Sequence, residues 1–479
     1  MPEVNTLFQP VGQFCRREVM TCEVADPLVS VASIMRTHNI SSMVVCSGGV
    51  PTGIITDRDL RNKVVAHGRD PNPLVVRDIM SSPLITVGAD EFLFEALYRM
   101  SKYGIHRVGV TDSDGQLTGV ITDSDILRLQ ARSPQQLIRD IEEAASVEEL
   151  KPLRGRVQEL VMHLVGTGVQ TRDLVRMIAL LNDRILMRLI ALLRREKYRD
   201  LPERFAFVVL GSEGRMEQTL TTDQDNAIVH ADELLPGELE QVERFAVELI
   251  DTLIATGVPP CPGGIMAKNA VWRRSLGGWN EALNQWLASP TPDNILTGSM
   301  FFDLRTLYGD PSLEQALKAH IVARLQSEPM FLRFAAANVL HFKTPLGWFG
   351  RIRVEKKGEH HGLLDVKKAG IFAITEGIKV LALEAGIVDG GTRERINALV
   401  AAGTLDRVHG DDLETSFNFL VHLRLRNQVS AIRAGRAPTN FIDLKQLNRM
   451  EMGRLKLALE GVRTFQDFLS LRFQLDLLR

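Results

Sequence analysis

The chain has 479 residues, 45% of them hydrophobic and 24% charged, the balance of an ordinary globular protein long enough for roughly three or four domains. Its 57 Lys and Arg against 59 Asp and Glu leave a net charge of -2, which excludes a global drive toward nucleic acid or an anionic membrane. No uncharged apolar run approaches the ~20 residues of a membrane helix. Cys15, Cys22, Cys46 and Cys261 match no zinc or C-x-x-C pattern, and the start Met1-Pro2-Glu3 is not a basic-then-apolar leader. Free thiols in the cytoplasm are expected, with neither membrane nor nucleic acid as partner.

The first element to emerge is a repeat. Gly53-Ile54-Ile55-Thr56-Asp57-Arg58-Asp59-Leu60 recurs as Gly119-Val120-Ile121-Thr122-Asp123-Ser124-Asp125-Ile126, an offset of 66 residues. Each copy reads strand, helix, strand, tight turn, strand, helix. The turns fall at Ser47-Gly48-Gly49 and Asp112-Ser113-Asp114-Gly115. The second turn lacks the distal Glu of an EF-hand loop, so it is read as a hairpin. A Thr-x-x-Asp at a helix start is either a cap or, because helix N-terminal amides favour anions, a nucleotide contact.

This pattern resembles a pair of CBS repeats, over about residues 15–131. The resemblance implies a pseudo-symmetric disc with two clefts that take an adenine nucleotide as regulatory ligand. Thr56 with Asp59 and Thr122 with Asp125 would meet phosphate and ribose. CBS discs commonly pair, so a homodimer is expected.

Residues 132–199 read as a helical, basic connecting region. Leu174, Ile178, Leu181, Ile185 and Leu189 draw one apolar stripe, with Arg172, Arg176, Arg184, Arg188, Arg194 and Arg195 around it. A packed helix with a solvated basic face accounts for this, and a lever between sensor and catalyst is the functional alternative.

Phe205 to Leu210 is a short buried strand that runs into Gly211-Ser212-Glu213-Gly214-Arg215. Eleven residues after Ser212 comes Asp223-Gln224-Asp225, opening a second strand on which both carboxylates point to one side. Two such carboxylates repel unless a counter-ion joins them, and Mg²⁺ or Mn²⁺ with substrate phosphates does so. A glycine-serine turn offers close backbone approach and a hydroxyl to a phosphate tail.

Gly-Ser followed by Asp-x-Asp resembles the DNA polymerase β nucleotidyltransferase superfamily. The fuller string Gly-Ser-Glu-Gly-Arg-Met-Glu-Gln with Asp-Gln-Asp-Asn resembles CBS-linked nucleotidyltransferases related to the uridylyltransferase of the PII signalling protein, over about residues 150–479. The resemblance implies an α+β multidomain chain. Its domains are the CBS pair (α/β), a mixed-sheet nucleotidyltransferase domain over 200–319 and a helical substrate-binding bundle over 320–479. It also implies a third metal-binding or catalytic carboxylate, for which Asp303, in an expected strand Met300–Arg305, is the candidate beside Asp223 and Asp225, with a simple ion pair to Arg305 or Arg273 the alternative. Arg215 and Lys268 join Gly211 and Ser212 as expected nucleotide contacts, with an ordinary salt bridge the alternative for Arg215. The acceptor hydroxyl would lie on a regulatory protein, such as a Tyr. A non-catalytic, nucleotide-sensing signalling protein that binds a partner is the alternative reading.

Residues 320–479 read as helices, with Gly386, Gly390-Gly391 and Gly435 as stops. His360 and His361 diverge on either regular element, so Lys356 to His361 reads as a solvated basic loop, not a metal site.

Overall fold

A computed structural model describes residues 9–15, 19–126, 134–165, 169–220, 224–347 and 351–478. The chain divides into two compact units, Met1–Gln136 and Leu137–Arg479.

The first unit is two copies of one motif. Strand β1 (Thr21–Glu23), helix α1 (Leu28–Thr37), β2 (Ser42–Ser47) and β3 (Val50–Thr56) form a sheet in the order β1-β2-β3. Strand β4 (Thr86–Gly88), α2 (Leu93–Tyr103), β5 (Arg107–Thr111) and β6 (Leu117–Thr122) form its counterpart. Each copy closes its own core. Val31, Met35, Val45 and Ile55 in the first correspond to Ala96, Met100, Val110 and Ile121 in the second. The offset is 65 residues before the hairpin and 66 after it, because the second hairpin loop is one residue longer. In the first hairpin Ser47 pairs with Val50, and Gly48 and Gly49 take left-handed φ of 60° and 83°. Only glycine adopts two such angles in succession without strain.

The second unit opens with α3 (Pro134–Glu143), α4 (Val147–Leu164) and α5 (Thr171–Glu196). Helix α5 buries the whole predicted stripe, Leu174, Ile178, Leu181, Ile185 and Leu189. A four-stranded sheet follows, with strands β7 (Phe205–Val209), β8 (Asn226–His230), β9 (Arg273–Ser275) and β10 (Arg305–Gly309) in the order β10-β7-β8-β9. All five residues of β7 are buried, as a central strand covered on both faces requires. Helices α6 (Pro236–Ala255), α7 (Leu276–Ala288), α8 (Pro292–Phe301) and α9 (Pro311–Ser327) complete this part. Trp279 of α7 is fully buried, stacks on Phe301 at 4.4 Å between ring centroids, and donates its indole N–H to Ile228 O at 2.9 Å.

The rest is helical: α10 (Pro329–His341), α11 (Phe372–Glu384), α12 (Thr392–Ala401), α13 (Arg407–Arg433) and α14 (Arg449–Arg472), with a small ladder of β11 (Leu364–Asp365) on β12 (Phe441–Ile442). Helix α11 is buried nearly all round from Ala373 to Leu383, which makes it the axis of the bundle. Gly386 and Gly435 follow helix ends with φ of 74° and 67°, as read from the sequence.

Two predicted elements differ. The strand expected to open at Asp223 begins only at Asn226, which leaves Asp225 outside it. Met300–Arg305 is not a strand: α8 runs to Phe301, and β10 begins only at Arg305. Thr291 caps α8 by accepting from Asn294 N and Pro292 occupies its first turn, so the apolar residues are the buried end of a helix.

Candidate active site

The Gly-Ser turn and Asp225 meet. Leu210 N donates to Asp225 O at 2.8 Å, closing the end of the β7–β8 pair. Gly211 has φ of +52°, and a Cβ placed there would lie 3.4 Å from Asp225 Oδ2. The helical turn Gly211–Gly214 carries Ser212 next in the chain. Asp223 lies outside the described residues. Strand β8 is buried on both faces and starts at Asn226, one residue after Asp225. Cys261 lies within hydrogen-bonding reach of Asp225, and burial together with that carboxylate pushes its thiol up to about 11.

Asp303 requires a correction. Its side chain has no exposure and sits among three cations. Lys379 of α11 lies 2.7 Å from Oδ2, Arg395 of α12 lies 2.6 Å from Oδ1, and Arg215 pairs with Oδ2. Burial alone would raise this carboxyl; Lys379, Arg215 and Arg395 outweigh it and hold it well below the ordinary carboxylate range. Both oxygens are taken by permanent cations. A metal ion brought to this point would meet three positive charges, and the carboxylate holds its own charge too firmly to draw off an acceptor proton. Asp303 is an ion-pair residue, and its expected metal and catalytic roles are withdrawn.

The same cluster absorbs Arg215, whose Nε donates to Glu217 at 2.7 Å. Glu217 in turn accepts from Thr392 N at 2.6 Å, at the start of α12. Lys379 also binds Glu376 at 2.9 Å and Ser299 O at 2.7 Å. Arg215 thus holds the turn to the helical bundle, the salt-bridge alternative of the sequence reading. Lys268, expected at the nucleotide, pairs with Asp251 of α6 at 3.0 Å.

Sequence reasoning missed Glu213. It is buried beside Asp183, Arg305, Asp225 and Arg154, and burial followed by the Asp183 charge pushes it up to about 8. Its signal was its place inside the Gly-Ser string; its burial and the Asp183 charge that perturb it come from outside that string. Next to Gly214–Glu217 opens a cleft of ≈ 410 Å³, within the range of small-molecule sites. Arg172 and Arg176 stand around it with Asp173, and Lys318 and Arg393 do so already paired, Lys318 with Glu314 and Asp389 and Arg393 with Glu414. Two arginines of the connecting helix, Arg172 and Arg176, thus face a cleft, while Arg184, Arg188, Arg194 and Arg195 bond elsewhere.

Among the described residues no three His, Cys, Asp or Glu side chains converge as a metal group. The oxygen donors of Asp225 and Ser212 have the hard chemistry of a Mg²⁺ site, whereas the Asp303 carboxylate is occupied by its three cations.

In the N-terminal unit both Thr-x-x-Asp pairs are closed caps. Thr56 Oγ1 donates to Asp59 Oδ2 at 2.6 Å, and Asp59 also receives Ser81 Oγ at 2.9 Å and the Lys63 ammonium at 2.8 Å. Thr122 Oγ1 donates to Asp125 Oδ2 at 2.6 Å.

Residues 155–293 match the family described as "Putative nucleotidyltransferase DUF294", and residues 329–473 match the "Putative nucleotidyltransferase substrate binding domain". Residues 11–66 and 76–132 each match the CBS domain. The chain belongs to the family that joins a CBS pair to the two DUF294 domains. It is 42% identical over 121 residues to Uncharacterized protein MK0525 of Methanopyrus kandleri, a match spanning 25% of this chain and 62% of that one. It is 30% identical over 115 residues to CBS domain-containing protein YhcV of Bacillus subtilis, spanning 23% of this chain and 81% of that one. A crystal structure of an uncharacterized conserved protein from Pyrococcus horikoshii covers 26% of this chain and 96% of its own, at 23% identity and a TM-score of 0.25. In this DUF294 protein the Gly-Ser turn and Asp225 fall inside the segment 155–293. Asp303 falls between the two matched segments and draws cations from both, Arg215 from one and Lys379 and Arg395 from the other. No helix among the described residues is long and apolar enough to cross a membrane.

Proposed function

We propose that this DUF294 protein moves a nucleoside monophosphate from a nucleoside triphosphate to an acceptor hydroxyl, with pyrophosphate leaving. The observation that carries this is Gly211 seated against the Asp225 carboxylate, in the helical turn whose far end, Gly214 and Arg215, lines a cleft of ≈ 410 Å³. Asp225 and Asp223 are the carboxylates that would hold Mg²⁺ or Mn²⁺. When bound, such an ion neutralises triphosphate charge and polarises the α-phosphoryl group. The chain's own part is positional. Ser212 and the amides of its turn receive the phosphate tail, and Arg172 and Arg176 offset its remaining charge. Glu217 fixes the turn to α12 through Thr392 N. The likeness to the PII uridylyltransferase supports a protein side chain, such as a Tyr, as acceptor.

Adenine nucleotide at Thr56 and Asp59, and at Thr122 and Asp125, is proposed to regulate transfer, by preferring one conformation of the chain over another. The free thiols, three of them buried, suit a reducing compartment such as the cytoplasm. Pairing of CBS discs supports a homodimer.

The test is incubation with labelled ATP, UTP, GTP and CTP, divalent ion and host lysate. Transfer by the wild type, abolished in Asp225→Asn with an unchanged melting temperature, is the expected result. The withdrawal of Asp303 from the metal favours a second reading, a non-catalytic nucleotide sensor. No transfer under any condition, with calorimetric binding of adenine nucleotide that Asp59→Ala or Asp125→Ala removes, would establish it.

A further inference from the structure

The chain carries a net charge of -2, yet residues 343–368 hold Lys343, Arg351, Arg353, Lys356, Lys357, Lys367 and Lys368 against Glu355, Glu359 and Asp365. This arm is +4, so the rest of the chain is -6. The cations are exposed, and Arg351, Arg353, Lys356 and Lys357 have no carboxylate partner among the described residues. An unpaired cluster of like charge repels itself, which a merely structural loop has no reason to keep.

The described residues of the arm are held by backbone hydrogen bonds. Gly347 N donates to Arg351 O at 2.8 Å, Arg353 N to Pro345 O at 2.7 Å, Glu355 N to Leu363 O at 2.9 Å and Gly362 N to Glu355 O at 2.8 Å. Leu346, Ile352 and Val354 pack on the core, which turns the alternate residues Arg351 and Arg353 outward. At its base Thr344 Oγ1 donates to Gln466 of α14 at 2.9 Å, and His360 stacks on Phe441 at 3.7 Å between centroids. Such a backbone presents its cations at set spacings, so little ordering entropy is lost on binding.

We infer that this arm docks an acidic segment of the protein acceptor; the inference rests on reading residues 329–473 as the acceptor-binding part of the transferase. Charge complementarity identifies a polyanion, and guanidinium forks such as Arg351 and Arg353 pair with carboxylates in two-point fashion. A protein fits better than nucleic acid. Of the arm's rings, His360 already has one face stacked on Phe441, whereas carboxylates need only the guanidinium and ammonium groups. The arm leads through Asp365 and Lys367 into α11, whose Lys379 and Glu376 belong to the ion cluster behind the Gly-Ser turn.

Fluorescence anisotropy of the full chain with labelled poly-L-glutamate of about twenty residues, at low salt, tests this. The wild type binds; R351A/R353A/K356A/K357A weakens binding at least about tenfold, with an unchanged melting temperature, and D225N binds as wild type. The pair K356E/K357E, away from Ile352 and Val354, gives the same loss should the fourfold variant fold poorly. Poly-glutamate binding that is absent in the wild type or unchanged in both variants overturns the inference. So does tighter wild-type binding of a single-stranded oligonucleotide of equal charge. Label transfer to lysate is scored separately. Its absence in the wild type counts against the transferase and leaves the docking result standing.

Discussion

Arg395, in the helical bundle, donates to the carboxylate of Asp303 at 2.6 Å across 92 residues of sequence. With Lys379 and Arg215 on the same carboxylate, it joins the bundle to the turn that carries Ser212. Removing one partner of a buried ion cluster leaves the others uncompensated, at about 3–5 kcal/mol. Asp303→Asn is therefore expected to lower the unfolding free energy by that amount in urea titrations. Replacement of a metal-only ligand would leave it unchanged or raise it, since two repelling carboxylates become one.

Gly214 faces the same residue from the other side. A Cβ at this position would lie 1.8 Å from Asp303 O, so Gly214→Ala must displace backbone. A loss of more than about 2 kcal/mol is expected, as for overpacking in a rigid core. Gly155, inside α4 with open space where a methyl group would go, is the control: Gly155→Ala should stabilise by about 0.5–1 kcal/mol.

Glu213 makes stability depend on pH. Its carboxyl sits at about 8 when folded, against an ordinary 4.5, because of burial and the Asp183 charge. A raised value means that the folded state keeps the proton between these limits. The contribution is fully present below about pH 4.5 and is lost as pH rises through about 8. In chelator-treated protein, Glu213→Gln should flatten the melting temperature between about pH 6 and 9. It should exceed wild type by roughly 1 kcal/mol or more at the alkaline end.

Arg172 and Arg176 stand exposed at the rim of the cleft, Arg172 only loosely paired with Asp173 at 3.6 Å. Arg172→Ala with Arg176→Ala should weaken nucleoside triphosphate binding about tenfold, ~1.4 kcal/mol, without changing the melting temperature. Titration calorimetry at two salt concentrations checks both the loss and its electrostatic origin.

The repeat, its hairpin turns and the stripe of α5 were legible because they are local. A period of 66, two adjacent glycines or apolar residues at steps of three and four mean the same thing wherever the chain later folds. The Gly211–Asp225 meeting was legible too, since a short strand, turn and return strand place the two side by side. Asp303 was misread for the opposite reason. Its apolar neighbours Met300, Phe301 and Phe302 suit a strand or a buried helix equally, and the period of so short a run cannot separate them. The cations that decide its chemistry come from Arg215, Lys379 and Arg395, up to 92 residues away in sequence. Charge type and spacing along the chain are properties of sequence. Whether a buried carboxylate meets a metal or a guanidinium depends on which helices close over it, and only the tertiary structure decides that.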